Sequence, residues 1–97
     1  MTSKQRAYLR SLANTIQATF QIGKNGINDD FVKQIDDFLE ANELVKISVL
    51  DTASEPNSAL ADELSILTTS VIVQIIGNKI TLYRKSSKKP KITLPNK

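Results

Sequence analysis

The alternation of apolar and polar residues divides the chain into seven short elements. Residues 3–14 place Leu9, Leu12, Ala13 and Ile16 at the i, i+3, i+4, i+7 spacing of one helix face. Thr2 or Ser3 is suited to cap that helix. Arg6 and Arg10, four residues apart, share a face away from the apolar stripe. Residues 19–22 read as a short strand, which Gly23 and Gly26 break. A second helix is predicted over 28–41, with Asn28 as its cap, Asp29 and Asp30 in its first turn, Phe31, Ile35, Phe38 and Leu39 on its core face, and Asn42 as its stop. Residues 43–50 form the second strand, where Val45, Ile47 and Val49 alternate with Lys46 and Ser48. A polar loop follows, and Asn57 or Ser58 can cap a third helix over 59–69 that presents Leu60, Leu64 and Leu67. Residues 71–76 are almost continuously apolar, as expected of a strand near the centre of a sheet. Gly77 and Asn78 then turn the chain back into a last strand over 79–84.

The order α-β-α-β-α-β-β predicts a single-domain α/β sandwich, with a four-stranded mixed sheet packed with helices. The last two strands should pair as an antiparallel hairpin, and a parallel first pair would be joined by a right-handed crossover.

Composition narrows the chemistry. Ninety-seven residues, 40% of them hydrophobic, suffice for one modest core. Without cysteine there is neither a disulfide nor a thiolate metal site, and without histidine the commonest general base and metal ligand are missing. The expectation is a protein that is not an enzyme and holds no metal or cofactor. The N-terminal residues lack an apolar run of secretory type, which predicts a cytoplasmic protein. The run 71–76 is far too short to span a bilayer, so no membrane partner is expected.

Net charge is only +3, but it is segregated. All ten acids lie between Asp29 and Glu63, a stretch that sums to −8, while the two flanking segments together carry +11. If the fold gathers the chain ends on one side, that side attracts polyanions.

The stretch Gly23-Lys24-Asn25-Gly26 lies between a predicted strand and a helix start. Paired glycines let the backbone turn sharply and approach a ligand closely, and a helix start offers unpaired N–H groups. Lys24 adds a charge at the tip. A Gly-x-x-Gly loop clamps backbone nucleotides in KH domains. The stretch lacks the Gly-Lys-Ser/Thr ending of a P-loop and the third glycine of a dinucleotide fingerprint. Its bland alternative is a plain strand-to-helix turn. Asp29 and Asp30 oppose an incoming phosphate and are better suited to stabilising the helix dipole.

Residues 84–91 hold five cations, Arg84, Lys85, Lys88, Lys89 and Lys91. We read 85–97 as a basic arm that tethers phosphates, with a solubilising tail as the alternative and Ile92-Thr93-Leu94 as a short docked piece. Tyr8 and Tyr83 could stack on a base, but packing suits each better. Three functions fit the residues: an RNA-binding module, a protein-interaction module using the acidic middle, or an enzyme on a phosphorylated small molecule with only Asp29 and Asp30 to serve it.

The run from Gln21 to Ile27, the acidic helix after it, and Asn42-Glu-Leu-Val-Lys-Ile47 resemble the CRM domain (chloroplast RNA splicing and ribosome maturation). So do the opening from Lys4 to Ala13 and the closing segment from Ile76 to Pro95. The chain is most similar to the stand-alone bacterial, YhbY-type members. That resemblance implies a fold like the C-terminal domain of translation initiation factor three, and partnership with RNA, namely pre-ribosomal large-subunit RNA in ribosomal particles; a monomer is our separate expectation. It assigns RNA contact to Gly23, Lys24, Asn25 and Gly26, to Lys4, Arg6 and Arg10 of the first helix, and to Arg84. The acidic loop 51–57 departs from what an RNA-binding edge requires.

Overall fold

A computed structural model describes residues 1–88 and 90–95. Three helices and four strands follow the predicted order: α1 (Ser3–Ala13), β1 (Phe20–Ile22), α2 (Asp29–Asn42), β2 (Leu44–Val49), α3 (Asn57–Thr68), β3 (Val71–Ile76) and β4 (Lys79–Tyr83). The sheet order is β1-β2-β4-β3. β1 runs parallel to β2, and β4 is antiparallel to both β2 and β3. The mixed sheet and the closing hairpin match the expectation.

Two cores sandwich the sheet. On one face, α2 and α3 lay Ile35, Leu39, Leu60, Ala61 and Leu64 against Val45, Ile47, Val49, Ile80 and Leu82. Phe20 locks β1 to α2 by meeting Phe31 and Phe38 edge to face, with centroids 6.2 and 5.3 Å away. On the other face, Leu9 of α1 joins Leu44, Val73 and Tyr83, and Leu12, Ile16, Ile92 and Leu94 pack around them. The Ile-Thr-Leu piece therefore docks as expected, beneath α1.

Helix ends are set by local chemistry. Thr2 and Gln5 form a capping box at α1. The Asn28 side chain accepts from the Phe31 N–H at 2.8 Å to start α2. Neither Asn57 nor Ser58 caps α3. Pro56 occupies the cap position without a side-chain bond, and the Asn57 amide donates to the Gly77 carbonyl instead.

Two expectations are corrected. β3 is an edge strand, and the centre of the sheet is β2 and β4. Its apolar run is only partly used, since Ile76 is 59% exposed; a continuous apolar segment marks a strand without fixing its neighbours. In α3, Thr68 takes the buried place predicted for Leu67, which is exposed. Thr68 is tolerated in the core because its hydroxyl donates to the Leu64 carbonyl at 2.7 Å.

Candidate nucleic-acid interface

The glycine stretch forms a tight turn at the C-terminal end of β1. The Gly26 N–H donates to the Gly23 carbonyl at 3.0 Å, leaving Lys24 and Asn25 exposed at the tip. The two glycines are constrained for different reasons. A Cβ on Gly23 would stand 3.2 Å from the Thr52 hydroxyl, so another segment crosses closely here. Gly26 has φ +63° with open space around it, so its constraint is backbone conformation. Asn28 takes one N–H of the α2 start for itself, which reduces what that helix end can offer an anion. Asp29 and Asp30 stand exposed in the first turn beside it.

α1 crosses the opposite face from the α2–α3 layer. Near its start the Arg6 guanidinium donates to the Ile72 carbonyl at 2.6 Å. Past its end the Lys46 ammonium donates to the carbonyls of Ala13 and Ile16, at 3.1 and 3.4 Å. Gln5 points to the side where the chain closes and donates to the Pro95 carbonyl at 3.0 Å. Arg6 and Arg10 therefore occupy the flank turned towards the glycine end of the sheet, where Arg10 is exposed and Arg6 half-buried. Lys4 is also exposed. Between that flank and the turn, the same face of the sheet bears Gln74, Lys79 and Gln21, with Ser48 and Thr81 buried among them. Among the described residues, neither Lys24, Arg10 nor Lys4 has an acidic partner.

Arg84 is not brought to this surface. It follows Tyr83, opposite Leu44, whereas the turn follows Ile22, opposite Val49. Five residues of β2 separate the two levels, about 17 Å at the usual rise of a strand. Its guanidinium is also occupied: it pairs with Asp36 and with Glu40 (3.5 Å) and donates to the carbonyls of Thr68 at 2.7 Å and Asp36 at 3.0 Å. The picture of both basic chain ends meeting at the turn is thereby revised. Arg84 joins α2 to the C-terminus of α3.

The segment read as a trailing arm is held against the protein over its described part. Glu43, itself fully buried, accepts from the backbone N–H groups of Lys91, Ile92 and Ser86 at 2.5, 2.6 and 2.7 Å. Glu40 accepts from the N–H groups of Ser87 and Lys88 and from both serine hydroxyls. Burial pushes the Glu43 carboxyl up, but its backbone donors and the nearby Lys85 charge outweigh this and hold it below the ordinary glutamate value. Glu40 is lowered as well, chiefly by the Ser87 hydroxyl. Glu43 also ends α2 in the left-handed conformation, φ 68°, which favours glycine or asparagine. Lys85 and Lys88 keep their ammonium groups exposed at this far end, and Lys89 lies outside the described residues.

Sequence reasoning missed the two glutamates. The available signal was charge itself: an acidic second helix and a basic tail of comparable charge invite pairing. Tyr83 is buried, which favours its packing role, while Tyr8 is 39% exposed. Among the described residues no three acids converge to hold a metal ion, and no helix is long and apolar enough to cross a membrane.

Known proteins are similar to this chain over almost its whole length. A Bacillus subtilis protein named "Probable RNA-binding protein YqeI" is 44% identical over 98% of this chain and 99% of its own length. A Haemophilus influenzae protein named "RNA-binding protein" is 30% identical over 100% of this chain and 97% of its own. A Staphylococcus aureus protein whose structure was solved in solution superposes with a TM-score of 0.80 at 49% identity, covering 98% of this chain and 99% of that one. The CRS1 / YhbY (CRM) domain pattern matches residues 1–84, and the chain belongs to that family.

Proposed function

We propose that this chain binds RNA by its backbone, and that its target is structured RNA of the large ribosomal subunit during assembly. The observation that supports the reading best is the free Lys24 on a glycine-bracketed turn, in a chain whose full-length relatives carry RNA-binding names. Gly23 and Gly26 shape the turn so that a phosphate can approach its backbone, Lys24 supplies charge, and Asn25 supplies amide donors. Lys4, Arg6 and Arg10 extend the contact from α1. Lys85 and Lys88 form a separate tether at the far end, with Lys89 beside them in sequence. Arg84 serves the fold in this reading and leaves the contact set. Such contacts position RNA without reading sequence.

The salt dependence of binding to a ribosomal RNA fragment tests the first part. If about five phosphates are neutralised, affinity falls on the order of a hundredfold between about 50 and 200 mM salt. Affinity indifferent to salt would overturn the backbone mode. Crosslinking in cells tests the target: fragments clustered in large-subunit ribosomal RNA are expected, and fragments scattered over messenger RNA would refute the assembly role.

A further inference from the structure

β1 is three residues long, and its first residue, Phe20, pairs with Ile47. The start of β2, Leu44 and Val45, therefore has no strand on that side. A cavity of about 540 Å³ opens where the sheet edge runs out. Its apolar walls are Leu12 of α1, Ile16 just past the end of that helix, Phe38 of α2, Leu44 and Ile92. Its polar groups sit at defined places. Lys46 spends two of its three ammonium hydrogens on Ala13 and Ile16, which leaves one. The Asn42 amide nitrogen donates to the Phe38 carbonyl, and its carboxamide oxygen has no partner among the described residues. Thr19 stands at the mouth as the residue just before β1. Lys46 is the one charged side chain among those lining the cavity, so nothing acidic guards it.

We infer that this cavity receives an unpaired nucleobase from the RNA whose phosphates lie on the glycine turn. The inference rests on the RNA-binding reading and names what part of the RNA the protein reads. Three features carry it. The cavity offers apolar surface for the faces of a flat ring, together with the remaining Lys46 donor, the Asn42 acceptor and the polar side chains of Thr15, Gln17 and Thr19 for its edge, which is how splayed single-stranded bases are held. It lies at the N-terminal end of the same edge strand whose C-terminal end carries the turn. From Thr19 to Gly23 is four residues, about 13 Å of extended chain, within the span of the four nucleotides that a Gly-x-x-Gly loop clamps elsewhere. Its sole charge has the sign that an RNA strand requires. The second cavity, by contrast, mixes Asp37 and Glu40 with Lys88 and Lys91, so its charges offset one another.

The test fills the cavity from its mouth. Thr19→Trp should weaken binding to a hairpin RNA with an unpaired loop by about tenfold or more, the scale of one lost base contact. Binding to a fully paired duplex of the same length should stay within about twofold. Equal loop affinity in variant and wild type would overturn the inference. So would equal losses for loop and duplex. Independently, titrating the wild-type chain with nucleoside monophosphates should move the amide resonances of Ile16, Thr19 and Lys46, and shifts absent from that set would also overturn it, whether or not the variant folds. A cavity that instead seats a second copy of the chain would show as a dimer in sedimentation that Thr19→Trp dissociates, which again refutes the base pocket. Failure of the RNA-binding reading looks different: wild-type protein then binds neither hairpin nor duplex.

Discussion

The two ends of the sheet carry similar charge and use it in opposite ways. At the glycine end, Lys24 is exposed without an acidic partner, and the turn beneath it is held by a backbone hydrogen bond alone. At the far end, a denser run of cations is interleaved with carboxylates. Arg84 is paired with Asp36 and Glu40, and the backbone N–H groups of Ser86, Ser87, Lys88, Lys91 and Ile92 are gathered by Glu40 and Glu43. Counting charges would have ranked the far end as the better polyanion site. Counting donors still free for a ligand reverses the ranking. The lesson is that a basic run is available for binding only after the fold has taken its share.

Removing the central carboxylate should break the comparison most severely. Glu43→Ala leaves the buried Ser86 N–H and the part-buried N–H groups of Lys91 and Ile92 without an acceptor, and we expect a loss of about 2–4 kcal/mol. In a chain of this size that lowers Tm by roughly 10–25 °C. Because Glu43 also occupies a left-handed backbone position, Glu43→Gln is the companion: it keeps the conformation and one carbonyl acceptor and should lose distinctly less. Thermal melts that place both variants level with the wild type would show that the closing segment is not held this way.

Arg84→Met comes next. It removes the cation that bridges Asp36 to the Thr68 carbonyl at the end of α3, and should cost about 1–2 kcal/mol in chemical denaturation. RNA affinity of the folded variant should change less than twofold. A large affinity loss at unchanged stability would return Arg84 to the binding surface.

Lys24→Glu is the mirror image. Stability should hold within about 0.5 kcal/mol, because the side chain is exposed and touches nothing. RNA affinity should fall about tenfold, since a phosphate contact is replaced by a repulsion. Unchanged affinity in a filter-binding or fluorescence titration would remove the turn from the interface.

The parts of this comparison were unequally legible in the sequence. The glycine turn was readable because its cause is local: Gly26 needs a positive φ and Asn28 caps the following helix, both within a few residues. The final hairpin also follows from short-range rules, whereas these rules do not decide the parallel pairing of β1 with β2 across a helical crossover. The edge position of β3 was not readable, because Val71–Ile76 is apolar enough for either place and only β2 decides which neighbour β4 takes. The fate of the basic tail was hidden for a stronger reason. Its partners Glu40 and Glu43 lie more than forty residues earlier, and at the level of sequence they look like the exposed acids of a helix end. The cavity beside β1 was equally invisible, since it exists only because one strand is shorter than its neighbour.

Acid should separate the two ends by the smallest and most selective effect. Both Glu40 and Glu43 have folded pKa values below the ordinary 4.5 of glutamate. A carboxyl lowered by folding contributes stability that is complete above its unfolded pKa and is lost as pH falls through its folded value. The closing segment should therefore stay latched at neutral pH and at about pH 5, and loosen only below about pH 4.5 as protons bind preferentially to the unlatched form. The turn at the glycine end depends on a backbone bond between Gly26 and Gly23, which acid leaves alone. Amide hydrogen exchange resolves the two, provided it is expressed as protection relative to the intrinsic rate at each pH. Protection at Ser86, Lys91 and Ile92 should drop in acid while Gly26 keeps its own, and in Glu43→Gln the drop at Lys91 and Ile92 should shrink or vanish. Protection lost at both ends together would mean that acid unfolds the whole domain at once, and that the carboxylate latch is no separate unit of the structure.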